Sequence, residues 1–175
     1  MVPNVSQFMS ELADREAIRD CLYRYSRGVD RCDEDMLRSV YWEDAYDDHA
    51  AFAGSREELI AWVLPMLRAM DQTMHMICNI FIRLHGAHAD VESYFYGYHR
   101  VPDSAGFHDG VSSGRYIDRF ERRNGEWRIL RRQVVVDWFR DYPDSGDWEI
   151  GPMGQKLKPG GRHPTDVSYK LAKLG

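Results

Sequence analysis

The stretch Tyr116-Ile117-Asp118-Arg119-Phe120-Glu121-Arg122-Arg123-Asn124-Gly125-Glu126-Trp127-Arg128-Ile129 decides the fold. Asn-Gly between two segments rich in aromatic and aliphatic residues is a strong hairpin signal, because a tight turn needs residues that accept positive φ. The spacing predicts two long strands, residues 109–123 and 126–138, joined at Asn124-Gly125. Upstream, residues 73–84 are rich in β-branched and apolar side chains and read as a strand. Residues 88–101, with Val91, Tyr94, Phe95, Tyr96 and Tyr98, read as another.

The N-terminal half has a different period. From Leu12 onward, Ile18, Cys21, Leu22, Tyr25 and Val29 mark one apolar face of a helix, and Gly28 lies near its end, where helices commonly stop. Residues 1–11 read as a loose lead-in. Asp33 is a good N-cap for a short second helix through Met36, Leu37 and Val40. Residues 42–49 read as a short strand leading into a loop. Ser55-Arg56-Glu57-Glu58 is a capping box, predicting a third helix that Pro65 is expected to kink or shorten. Helices followed by four long antiparallel strands give an α+β class. The expected architecture is a curved, mixed or antiparallel sheet folded as a cone around the N-terminal helices, with one open end for a small molecule. One domain spans residues 1–175. Its core is 12–138, and the aperiodic tail 139–175 is expected to cover the body or the pocket mouth.

Composition narrows the function. Hydrophobic residues are 43% and charged residues 29%, as in soluble globular proteins, and a net charge of −5 argues against a general nucleic-acid binder. No apolar run reaches membrane-spanning length, and Met1 to Ser10 lacks the layout of a signal peptide, so a cytoplasmic location is expected. The three cysteines, Cys21, Cys32 and Cys78, form no C-x-x-C pair and read as buried or free thiols, Cys78 as a core thiol rather than a nucleophile. Ten Tyr and five Trp suit a pocket for a ring-shaped ligand. No dinucleotide or phosphate-loop motif is present, so no nucleotide cofactor is expected.

Two short segments carry the chemistry: Gly28-Val29-Asp30-Arg31 and Thr73-Met74-His75-Met76. The first sets a carboxylate at a helix end, the second an imidazole among Met74, Met76 and Ile77. A histidine in an apolar setting beside a carboxylate is a general base held in one tautomer. Taken alone, His75 also reads as a core histidine bonded to a carbonyl, and Asp30 as a polar residue ending a helix. A carboxylate at the negative end of a helix dipole is misplaced, however, and a hydrogen-bonding His75 would relieve it.

Other candidates surround the pair. Arg132 reads either as half of a surface ion pair beside Arg131 or as a stabiliser of developing negative charge. Tyr25 and Tyr46 read as pocket walls or core, with hydroxyls able to protonate a leaving oxygen. His49, in Asp47-Asp48-His49, and His99, in Tyr98-His99-Arg100, are candidate bases or substrate donors. A metal site made from them with His75 lacks H-x-H or H-x-x-x-H spacing, and none is expected. Phe95 is a candidate substrate contact.

The order of elements, the Gly28–Arg31 turn, the Met74-His75-Met76 strand and the 116–129 hairpin together resemble the SnoaL-like branch of the nuclear transport factor 2-like superfamily, over roughly residues 12–138. The Asp and His segments are similar to those of the hexachlorocyclohexane dehydrochlorinase and bile-acid dehydratase types. The resemblance implies proton abstraction by an Asp30–His75 dyad, a catalytic role for Arg132 and a matching tyrosine at Tyr25. Gly97 and Val136 stand where the bile-acid type has an acid and an arginine, which argues against a bile-acid substrate. The resemblance thus implies a cofactor-independent lyase for a hydrophobic, hydroxylated aromatic substrate. Lignin-derived diaryl compounds that lose water and then formaldehyde are one example. An isomerase or cyclase of a steroid- or polyketide-like substrate, and a non-catalytic binding domain, are the alternatives. Aromatic residues on both parities of residues 94–98 also suggest a homo-oligomer, dimer or trimer, built through the sheet.

Overall fold

The first helix, α1 (Val5–Arg31), buries Ile18, Cys21, Leu22, Tyr25 and Val29, the face its spacing predicts. It begins well before Leu12, correcting the expected loose lead-in. Asn4 caps it by accepting from the Ser6 amide at 3.0 Å, and its first turns lie in solvent, so no apolar period announces them. The helix also runs past Gly28. A Cβ there would sit 3.1 Å from the Leu37 amide nitrogen, so Gly28 permits close packing against the next helix rather than ending its own. The chain leaves α1 at Cys32, in the left-handed region at φ 50°.

The computed structural model describes residues 4–144 and 146–173. After α1 come α2 (Glu34–Ser39), capped by Asp33, β1 (Tyr41–Asp48) and β2 (Ala53–Ser55). Helix α3 (Arg56–Ala69) follows, with the Ser55–Glu58 capping box formed. Pro65 does not break α3: it lies on the exposed face, where the carbonyl it leaves unbonded meets water. Four long strands complete the sheet: β3 (Gln72–His85), β4 (His88–Asp103), β5 (Gly106–Arg123) and β6 (Glu126–Pro143). A 3₁₀ helix, Val167–Lys173, lies in the tail. Among the described residues no helix is long and apolar enough to cross a membrane.

The sheet has six strands in the order β2-β1-β6-β5-β4-β3. The four long strands pair antiparallel as expected, and β1 adds to β6 in parallel, which makes the sheet mixed. Three bulges among its antiparallel strands curve it around α1 and α3. Asn79 is the extra residue on β3, at φ 39°, and on β6 the extra residues are Leu130 and Asp137. Gly114 stands beside the Asp137 bulge because a Cβ there would meet the Val135 carbonyl at 1.9 Å.

These bulges set which side chains face inward. Trp127 and Ile129 are buried, and the extra residue Leu130 then shifts the parity so that Arg132 and Val134 face in and Arg131 faces out. On β3 the inward positions are Thr73, His75 and Ile77, then Ile80 and Ile82 after the bulge. Cys78 therefore falls on the outer face and is exposed, correcting its expectation as a core thiol, while Cys21 and Cys32 are buried.

Candidate active site

The helices and the inner sheet face enclose a cavity of about 170 Å³. Val29, Val63, Leu67, Phe95 and Val134 make its apolar walls. Its polar groups are His49, His75, His99, Ser112 and the rings of Tyr25 and Tyr116. A larger hollow of about 490 Å³ on the sheet surface is lined by Phe81 and Ile117 together with charged side chains, of which Arg119 is already engaged by Asp90 at 2.6 Å.

Asp30 and His75 meet at this cavity. The end of α1 packs against β3, and the Asp30 carboxylate takes both the His75 Nδ1 at 2.7 Å and the His75 main-chain amide at 2.8 Å. An ionised carboxylate only accepts, so Nδ1 carries a proton and Nε2 is the nitrogen left to take or give one at the cavity. Burial works to raise the Asp30 pKa, but the hydrogen bonds and charge of His75 and the nearby Arg31 outweigh it and hold the carboxyl below its ordinary value. The misplaced charge at the helix end is further answered by Arg162. Its guanidinium donates to the Asp30 carbonyl and the Thr73 hydroxyl, and to the Leu67 and Met70 carbonyls at 3.2 Å, closing the ends of α1 and α3 together. The aperiodic tail gave no signal of this contact. The tail reaches the end of α1, with the Tyr169 hydroxyl donating to Asp33 at 2.7 Å, and among its described residues none lines the cavity.

His99 stands beside His75, the two ring centroids 5.0 Å apart and edge to face. Burial, then repulsion from His75 and Arg162, lowers its pKa to about 4 against the pull of Asp30, so it is neutral at pH 7. Gly97 lies between them: a Cβ there would be 3.3 Å from both His99 Cε1 and Ser112 Oγ, and 3.4 Å from His75 Cδ2. Phe95 stacks on Tyr116 with centroids 4.7 Å apart and forms the floor. Ser112, on β5, is a cavity residue the sequence reading missed, its strand context giving no hint of a site.

His49 forms a second pair. Its Nδ1 is 2.9 Å from the carboxylate of Asp47, which is fully buried. Asp and His two apart on a strand share a face, which is the signal that would have revealed it. Among the described residues no three His, Cys, Asp or Glu side chains are grouped to hold a metal ion.

Three expectations need correction or restatement. Tyr46 does not line the cavity: Asp47 and Ala45 face in, and Tyr46 is turned out, half-exposed beneath the Arg131 guanidinium. Arg132 faces inward but does not reach the cavity. It is sealed below the floor, bidentate to Asp118 at 2.7 and 2.8 Å, with its guanidinium 4.1 Å from the ring centroids of both Tyr25 and Tyr116. Burial alone would favour a neutral guanidine, but the Asp118 carboxylate keeps it firmly cationic. Nor is it a surface ion pair. Tyr25 does line the cavity, and burial pushes its hydroxyl up to about 12, so it can donate a hydrogen bond but stays protonated.

A curved open sheet wrapped on its N-terminal helices, with an acid–imidazole pair inside, defines a nuclear transport factor 2-like domain. Within that superfamily the chain belongs to the SnoaL-like domain family, whose model matches residues 10–133. The uncharacterized protein Rv2910c of Mycobacterium tuberculosis is 28% identical over 128 residues, covering 71% of this chain and 86% of its own. Among solved structures, a Novosphingobium aromaticivorans protein proposed to be a scytalone dehydratase is 22% identical with TM-score 0.69, covering 80% of this chain and 99% of that one. The hexachlorocyclohexane dehydrochlorinase LinA-type3 of Novosphingobium barchaimii LL02 is 21% identical with TM-score 0.65, covering 82% and 99%. At these identities the likeness is one of fold.

Proposed function

We propose that this protein is a cofactor-independent lyase that removes water from a small, hydrophobic, hydroxylated ring compound. The observation that carries the reading is the Asp30–His75 pair, with Nδ1 held by the carboxylate and Nε2 left as the base at the cavity. His75 takes a proton from carbon. Asp30 stabilises the imidazolium that forms, and the apolar walls keep bulk water from the developing charge. Tyr25, Ser112 and neutral His99 supply hydrogen bonds to the substrate's oxygens. The two named structural neighbours, one a dehydrochlorinase and one proposed to be a dehydratase, are consistent with elimination chemistry.

The size of the cavity bears on the substrate. An apolar cavity of about 150 Å³ holds one benzene ring, so 170 Å³ encloses roughly one ring or a compact fused pair. A lignin-derived diaryl substrate would keep one ring inside and lay the other at the mouth, against Met66 and Val136, both exposed at the cavity edge. The closeness of His99 to His75 favours one second reading, an isomerase in which a proton taken at one carbon is returned at another.

The test is a panel of aryl β-hydroxy ketones assayed for the conjugated product. H75Q should lose about 10²- to 10⁴-fold in rate, and D30N should lose much of it while keeping the fold. Activity should survive a chelator, because the proposed chemistry uses only placed acids and bases. Full activity in H75Q would put the base elsewhere. Positional isomers formed without loss of water would favour the isomerase.

A further inference from the structure

We propose that the cavity carries a separate acid, His49, which protonates the departing hydroxyl group, and that a buried chain from Asp118 through Arg132, Tyr41 and Asp47 positions it. The inference rests on His75 as the base and assigns the leaving group. The chain is continuous: Asp118 grips Arg132, the Arg132 Nη1 lies 3.4 Å from the Tyr41 hydroxyl, Tyr41 donates to Asp47 Oδ2 at 2.7 Å, and Asp47 Oδ1 meets His49 Nδ1 at 2.9 Å. Asp47, Asp118, Tyr41 and Arg132 are all buried. Arg132 therefore touches the chemistry through His49 as a positioning residue.

Charge balance separates the two histidines. Asp118 and Asp47 bring two negative charges into the core and Arg132 one positive, leaving an uncompensated buried carboxylate, which is costly. A second proton on His49 closes that balance. The groups facing His49 are Asp47 on its own strand, Asp118 and Tyr116 on β5, Arg132 on β6, Trp62 on α3, and His75 and His99 across the cavity. Asp30, by contrast, has Arg31 beside it as well as His75, and Arg162 on its carbonyl, so its charge does not rest on His75 alone. The two histidines are thus held by different partners, His49 by Asp47 and His75 by Asp30. They also stand on different walls: β6, β5 and β4 separate β1 from β3 in the sheet.

The step balances. His75 Nε2 takes the proton from carbon, and the C–H electrons become the double bond. The C–O bond breaks toward oxygen, which takes the Nε2 proton of the His49 imidazolium and leaves as water. His75 ends as imidazolium and His49 neutral, and one proton passing between them through water restores both. A halide needs no such proton. The site therefore fits hydroxyl leaving groups, not chloride.

The experiment compares 3-hydroxy- and 3-chloro-1-tetralone, both of which yield fluorescent 1-naphthol, each measured above its background rate. H49Q should slow the hydroxy ketone by about 10²- to 10⁴-fold and the chloro ketone by less than a tenth of that factor. Equal losses, or none, overturn the assignment. H75Q should lose both substrates, and its retaining the chloro activity would count against His75 alone. A second measurement needs neither turnover nor a catalytic variant. Ring ¹⁵N spectra of the wild type at pH 7 should show His49 protonated on both nitrogens, and D47N should lose that signature. A singly protonated His49 ring in the wild type overturns the proposal, even if neither tetralone is converted.

Discussion

The guanidinium of Arg162 binds the main-chain carbonyl of Asp30 across 132 residues of sequence. One side chain from the tail thus ties the helix end that carries the site's carboxylate to the end of α3 and to Thr73. Replacing Arg162 with Met leaves these carbonyls without their charged donor, and an unsatisfied buried polar group costs about 1–3 kcal/mol. R162M should lose stability on that scale in urea titrations, and the Asp30–His75 distance should loosen. A variant as stable as the wild type would show that the tail contact is incidental.

Arg132 and Asp118 are both completely buried, so their partnership is all-or-none. R132M should destabilise by about 3–5 kcal/mol, the cost of a buried carboxylate left without its partner. The double variant R132M/D118L should recover most of that loss, as measured by denaturant midpoint. Independent, additive losses would mean the two side chains do not act as a pair.

Stability should fall in mild acid. The folded His99 value, about 4, lies below the ordinary 6.5 because of burial, with His75 and Arg162 repelling its charge and Asp30 favouring it. Between those values the unfolded chain binds a proton that the folded chain does not. Stability is therefore greatest above about 6.5, declines as pH drops toward 4 and levels off below it. A shift of that size is worth roughly 3 kcal/mol. Asp30, held below its ordinary value, adds a further loss at still lower pH as it is protonated. H99Q should flatten the decline between 6.5 and 4 in pH-resolved denaturation; an unchanged slope would assign it to other groups.

Gly97 keeps the cavity open between His75, His99 and Ser112. Its backbone is ordinary strand, so G97V should fold, but its methyls would occupy the ring's place. Binding of 1-naphthol, followed by fluorescence, should weaken by ~10-fold or more, about 1.4 kcal/mol. Unchanged affinity in G97V would place the ligand elsewhere.

The outer sheet face exposes Met74, Met76, Phe81, Tyr94, Tyr96 and Ile117. Apolar exposure on this scale is the mark of a covered surface, and light scattering should find a dimer or trimer. Glu substituted at Tyr94 and Ile117 should shift it toward monomer; a monomeric wild type at micromolar concentration would remove this expectation.

The features legible without a structure are those that short-range physics governs. The α1 face from Ile18 to Val29, the Ser55–Glu58 cap, the Asn124-Gly125 turn and the four long strands depend on side-chain period and on φ, which neighbours in sequence control. The Asp30–His75 meeting was legible through its resemblance to a known pattern. Tertiary structure decided the rest, because facing direction depends on register. The single extra residue Leu130 turns Arg132 rather than Arg131 into the core, and the Asn79 bulge returns the strand to the core at Ile80 after Cys78 has faced solvent. Strand alternation sends Tyr46 outward and Asp47 inward to His49. The Arg162 contact lies farther from sequence still, since a tail without a period finds its partner only after the two helix ends it joins have been brought together.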